Sequence, residues 1–131
     1  VKIKVDWDDP AQTIVRWEFP SEWTWDDVEE ARQQSVAMRR SVSHRVAVIL
    51  DMLGSQQSLP RAPLKMFAKG MREFSEGRDV TVLVTKNKLI HNTVEIFTTL
   101  PSGKKYAVRS ALTLDDAYGV IQLYRMQKQS S

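Results

Sequence analysis

Cysteine is absent from the 131 residues, which excludes disulfides, thiolate nucleophiles and thiolate metal sites. Histidine occurs only as His44 and His91, and neither stands in a nucleophile motif or at metal-ligand spacing. The five glycines are scattered, so no GxGxxG, P-loop or GxSxG pattern arises, and the phosphate cradles and nucleophile elbow they build are missing. No apolar run approaches the roughly 20 residues that cross a bilayer. Linkers, low-complexity tracts and repeats are missing too. The chain reads as a non-enzyme with no cofactor. Its opening, VKIKVDWDD, alternates like a strand and lacks an apolar leader core, so the expected compartment is the cytoplasm.

What is present is an ordinary globular composition, 42% hydrophobic and 27% charged. A chain of this length forms a single domain, here residues 1–131, that buries roughly two-thirds of its unfolded surface. The net charge of +3 is unevenly spread. Residues 1–60 carry 7 Lys and Arg against 10 Asp and Glu, whereas residues 61–109 carry 10 against 4. Such asymmetry suits an anionic partner, although a solvated mixed surface explains it as well.

Val1, Ile3, Val5 and Trp7 alternate with Lys2, Lys4 and Asp6. After the polar turn DDPAQ, Val15, Trp17 and Phe19 alternate in the same way. Period-2 patterning on both sides of a turn predicts an antiparallel hairpin with one face on the core. A helix follows, with Thr24 as N-cap and Asp27 at the third helical position to bond back. Trp25, Val28, Ala31, Ser35, Met38 and Val42 form its stripe. The acidic residues of its first turn complement the helix dipole, which accounts for them without a metal.

Val46–Leu50, ending at Asp51, and Val80–Thr85 are apolar runs of the kind that form central strands covered on both faces. Between them, Leu64, Phe67, Ala68, Met71 and Phe74 predict a second helix that ends near Gly77. Leu89, Ile90, Thr93, Val94, Ile96 and Phe97 predict a third. A shorter strand with Tyr106 and Val108 precedes a last helix, capped by Thr113 and buried along Ala117, Ile121 and Tyr124. The order ββαβαβαβα predicts an α/β fold: a mixed, mainly parallel sheet with an N-terminal antiparallel hairpin and four helices. Ala47, Ile49, Thr81 and Leu83 are expected to share one sheet face, covered by a helix or by another subunit.

This order, with VAVILDMLGS leading into LPRAPLKMF, resembles the STAS (SpoIIAA-like) domain. The FPSEWTWDD opening looks like a divergent bacterial branch of that fold. Antagonist members carry a phosphorylated Asp-Ser pair shortly after the strand-ending Asp. Leu59 and Pro60 stand there instead, with Ser58 just upstream, so that phospho-switch is not carried over. The resemblance implies a regulatory or protein-interaction module.

Ligands of open α/β sheets bind outside the carboxyl ends of the strands. The candidate surface is therefore the loop and helix 52–72, with Asp51, Gly54, Ser55 and Ser58. A basic stripe of Arg61, Lys65, Lys69 and Arg72 adjoins it, with Lys86 and Lys88 at the start of the third predicted helix. A plain connection with Ser58 as a helix cap, and a solvated outer helix face, account for the same residues. The expected partner is another protein with an acidic surface. A small anionic or lipid ligand is the alternative, since the CRAL-TRIO lipid carriers share an analogous core. Nucleic acid is disfavoured, because the aromatics fall on core faces. A homodimer remains open.

Overall fold

Two adjacent acidic residues and a proline turn the chain after its first strand. In the computed structural model, which describes residues 3–55, 78–99 and 107–130, Asp9 caps this turn. Its Oδ1 accepts the Thr13 N–H at 2.8 Å and the Ile14 N–H at 3.0 Å, and its Oδ2 accepts the Thr13 hydroxyl. Gln12 supplies the left-handed residue, at φ 58°. The turn joins β1 (Lys4–Trp7) antiparallel to β2 (Ile14–Glu18), with Val5 opposite Trp17 and Asp6 opposite Arg16.

Helix α1 (Trp25–Arg40) starts as expected. The Thr24 hydroxyl accepts the Asp27 N–H at 3.2 Å, and the Asp27 carboxylate accepts the Thr24 N–H at 3.0 Å. Strands β3 (Val46–Asp51), β4 (Arg78–Val84) and β5 (Val108–Ala111) then add in turn, each parallel to the one before. The result is one five-stranded sheet in the order β1-β2-β3-β4-β5. Helix α2 (Lys88–Thr99) joins β4 to β5, and α3 (Leu114–Ser130) closes the chain. The α/β class, the antiparallel hairpin and the parallel remainder match expectation. Three helices lie among the described residues, and the helix expected from Leu64 to Phe74 falls outside them.

Both faces of the central strands are covered. On the first face α1 and α2 pack over Val15, Trp17, Val46, Val48, Leu83 and Val108, with Ile90, Val94 and Phe97 from α2. On the second face Ala117 and Ile121 of α3 cover Ile49, Val80, Val82, Val84 and Ala111. Burial of both faces explains why β3 and β4 are continuously apolar.

Ala47 and Ile49 do share the α3 face, but Thr81 and Leu83 do not. The β3–β4 register shifts between Val46 and Val48, and then aligns Val48 with Thr81 and Leu50 with Leu83. Thr81 and Leu83 thus point with Val48 towards the first face. Because side chains alternate with a period of two, a single extra residue reverses every later side chain.

Arg125 fastens the far half of α3. Its Nε donates to Asp79 Oδ2 at 2.8 Å, and its Nη2 donates to the Thr13 carbonyl at 2.9 Å. One guanidinium therefore ties α3 to the starts of β2 and β4.

Candidate functional site: the carboxyl edge of the sheet

Parallel pairing brings the carboxyl ends of β3, β4 and β5 together. The ladder runs on past the strands, with Met52 N–H donating to the Val84 carbonyl at 2.9 Å and Thr85 N–H to the Ala111 carbonyl at 3.0 Å. The chain then diverges into three loops. Between them lies an open crevice of about 320 Å³, lined by Met52, Leu53 and Ser55, by Thr85, Lys86 and Asn87, and by Leu112 and Thr113.

Each loop is held by local bonds. Asp51 is buried, and its Oδ1 accepts the Leu53 N–H at 3.1 Å. This is the ordinary loop-anchoring role for a strand-ending carboxylate. Ser55 N–H donates to the Met52 carbonyl at 3.1 Å, and the Ser55 hydroxyl accepts the Trp23 indole N–H at 2.8 Å. Trp23 stands edge-on to Phe19 at 5.2 Å and to Trp25 at 5.4 Å, so the loop is pinned to an aromatic cluster. Gly54 is needed for close approach: a Cβ there would lie 3.1 Å from the Phe19 carbonyl oxygen.

In the next loop Asn87 accepts the Leu89 N–H at 2.8 Å, and its own N–H donates to Thr85 Oγ1 at 3.1 Å. The side chain of Asn87 thereby caps α2. His91 reaches back with Nε2 2.6 Å from the Thr85 carbonyl. A carbonyl only accepts, so that ring nitrogen carries the proton. In the third loop Thr113 caps α3 by accepting the Asp116 N–H at 3.0 Å.

Of the expected surface, the structure gathers Ser55 and Lys86 into the crevice wall, buries Asp51 at the end of β3, and leaves Gly54 and Lys88 exposed outside that wall. Ser58, Arg61, Lys65, Lys69 and Arg72 lie outside the described residues. Sequence reasoning missed the apolar rim, where Leu53 is 43% and Leu112 53% exposed. Leu89 and Ile96 belong to the expected α2 stripe, yet both face outwards. The buried residues are Ile90, Thr93, Val94 and Phe97, a strict i, i+3, i+4, i+7 set that leaves their neighbours off the core.

A second polar region lies over the hairpin. Lys4, Asp6, Trp7, Asp8, Arg16 and Glu18 line an open cleft of about 240 Å³. Arg16 is its hub, 3.5 Å from Asp8 and 3.4 Å from Glu18. Desolvation works against its charge, but Asp8, Asp51 and Glu18 outweigh this and raise its pKa. Tyr118 of α3 joins the cluster; its own burial, followed by its hydrogen bond to Asp8, pushes the phenol upward.

Among the described residues no group of three His, Asp or Glu side chains is placed to hold a metal ion. His44 points Nε2 at the Gln12 carbonyl, 2.8 Å away. No helix among the described residues is long and apolar enough to cross a membrane. Compared with protein-family models, with curated proteins and with solved structures, the chain has no match.

Proposed function

We propose that the chain is a non-enzymatic, cytoplasmic regulatory module of the STAS-like kind, which docks a protein partner on the carboxyl edge of its sheet. The observation that carries this reading is the rim of the crevice. Leu53 and Leu112 stand exposed on two separate loops around one depression. Apolar anchors around a depression of mixed polar and apolar lining are what a protein interface uses for its central contacts. Lys86, exposed in the crevice wall, gives the rim its positive sign. The matching partner offers an apolar side chain flanked by carboxylates.

The reading as a small-ligand or lipid carrier has less support. The crevice of about 320 Å³ is at the lower end of ligand pockets, and it is open to solvent rather than enclosed. Native mass spectrometry separates the two, because a carrier releases a constant small mass on denaturation and a docking module does not.

The test uses Leu53→Asp and Lys86→Glu, two exposed positions where the fold tolerates change. Both variants should melt within a degree or two of the wild type. Each should lose about tenfold or more in affinity for a protein that co-purifies with the wild type. Undiminished capture by both folded variants removes the carboxyl edge from consideration.

A further inference from the structure

Among the described residues the sheet begins at β1, and no strand pairs with its outer edge. Such an edge is a template for another strand unless its side chains forbid one.

Backbone direction decides what the edge offers. Asp8 lies opposite Ile14 in continuation of the β1–β2 register, and its N–H donates to the Ile14 carbonyl at 2.8 Å. Hydrogen-bonded and non-bonded pairs alternate along an antiparallel ladder. Lys4, Asp6 and Asp8 therefore turn their backbone groups to β2, and Ile3, Val5 and Trp7 turn theirs outward. Side chains divide the same way. Ile3, Val5 and Trp7 lie against the α1 core, whereas Lys4 and Asp6 stand on the open face, 70% and 62% exposed.

Charge decides which strand fits. In sequence the polar positions read Lys2, Lys4, Asp6, Asp8, a pattern that is its own complement when reversed. In an antiparallel pair centred on Val5, each Lys4 faces Asp6 of the second copy. Val5 then faces Val5, and Ile3 faces Trp7, with their outward N–H and carbonyl groups in register. A slip of two residues one way sets Lys4 against Lys4, and the other way sets Asp6 against Asp6. A slip of one residue sets outward backbone groups against inward ones. Parallel in-register pairing opposes like charges throughout.

The hairpin extends the pattern. Within one chain Lys4 faces Glu18, and Asp6 faces Arg16. Pairing on Val5 thus produces a row Glu18, Lys4, Asp6, Arg16 across the seam, in which Lys4 and Asp6 each stand between opposite charges. Non-bonded cross-strand positions hold side chains closest, and Lys4 and Asp6 would occupy these at the seam.

We propose that two copies of this chain associate through β1, antiparallel and centred on Val5, to form one continuous sheet with a twofold axis. This surface is separate from the carboxyl edge and does not rest on the docking reading. An isologous contact of this type needs only a self-complementary edge.

Charge reversal with mixing tests the proposal. Sedimentation equilibrium of the wild type, from about 1 µM to 1 mM, should show a reversible monomer–dimer equilibrium. Lys4→Asp and Asp6→Lys each oppose like charges twice across the twofold, and each should weaken the dimer about tenfold or more. Mixed in equal amounts, the two variants should restore association, with the heterodimer dominant by native mass spectrometry. Val5→Pro removes an outward N–H and no β1–β2 hydrogen bond, and it should abolish the dimer while retaining the wild-type circular dichroism spectrum. A wild type that stays monomeric to about 1 mM overturns the proposal. So does a dimer that persists in folded Val5→Pro, or a mixture that forms no heterodimer.

Discussion

Arg125 gives the sharpest test of how the second face of the sheet is held. Arg125→Met keeps most of the aliphatic stem and deletes the guanidinium, with its bonds to Asp79 at 2.8 Å and to the Thr13 carbonyl at 2.9 Å. Hydrogen bonds to charged groups are each worth about 1.5–3 kcal/mol when shielded. Solvent reaches this pair, with Arg125 and Asp79 side chains 31% and 14% exposed, so screening reduces the figure. The expected loss is about 1–2 kcal/mol, or roughly 3–8 °C in Tm for a chain of this size. Asp79→Asn should cost less, because the Thr13 bond depends on Arg125 alone. Urea unfolding of both single variants and the double variant closes the cycle, with an expected coupling of about 0.5–1.5 kcal/mol. A loss from Arg125→Met below about 0.5 kcal/mol, or strictly additive variants, would refute the fastening role.

Three further outcomes follow from the same structure. Thr24→Ala removes the hydroxyl that accepts the Asp27 N–H in the reciprocal cap on α1 and should cost about 1 kcal/mol in urea unfolding. Phe97→Ala empties a buried site between α2 and the sheet and should cost about 3–5 kcal/mol, enough to leave little folded protein at 37 °C. Asp9 in the hairpin turn titrates below its ordinary value of 3.8; its burial opposes this, but bonds from Thr13 and Ile14 outweigh burial. Its contribution is therefore complete above pH 3.8 and is lost as pH falls through the depressed folded value. Asp9→Asn should lower stability at pH 7 and flatten the acid limb of the stability profile; an unchanged acid limb would contradict the assignment.

Local chemistry was legible before the fold. The Thr24–Asp27 box, the Thr113 cap and the alternating hairpin each depend on residues within a few positions of one another, and the structure contains all three. The apolar β3 and β4 were equally legible, because a strand covered on both faces needs no alternation. What escaped depended on register and on distant neighbours. The shift between Val46 and Val48 reversed Thr81 and Leu83, and no residue type announces such a bulge. Leu89 and Ile96 fit a helical stripe as well as their neighbours do, and only the position of the sheet selects Ile90, Val94 and Phe97 instead. The crevice rim had no sequence signal, since Leu53 and Leu112 line one depression only when the strand ends meet. Trp23 and Ser55 lie 32 positions apart, which hid the bond that pins the loop.

The central claim is that the carboxyl edge receives a protein partner. The most direct measurement places a photo-crosslinking amino acid at position 53, 112 or 34 and irradiates living cells that express each variant. Leu53 and Leu112 flank the crevice, and Gln34 is exposed on α1. The account predicts the same discrete protein adduct from 53 and 112 and none from 34. No adduct at the two crevice positions, or an identical set at all three, would contradict it.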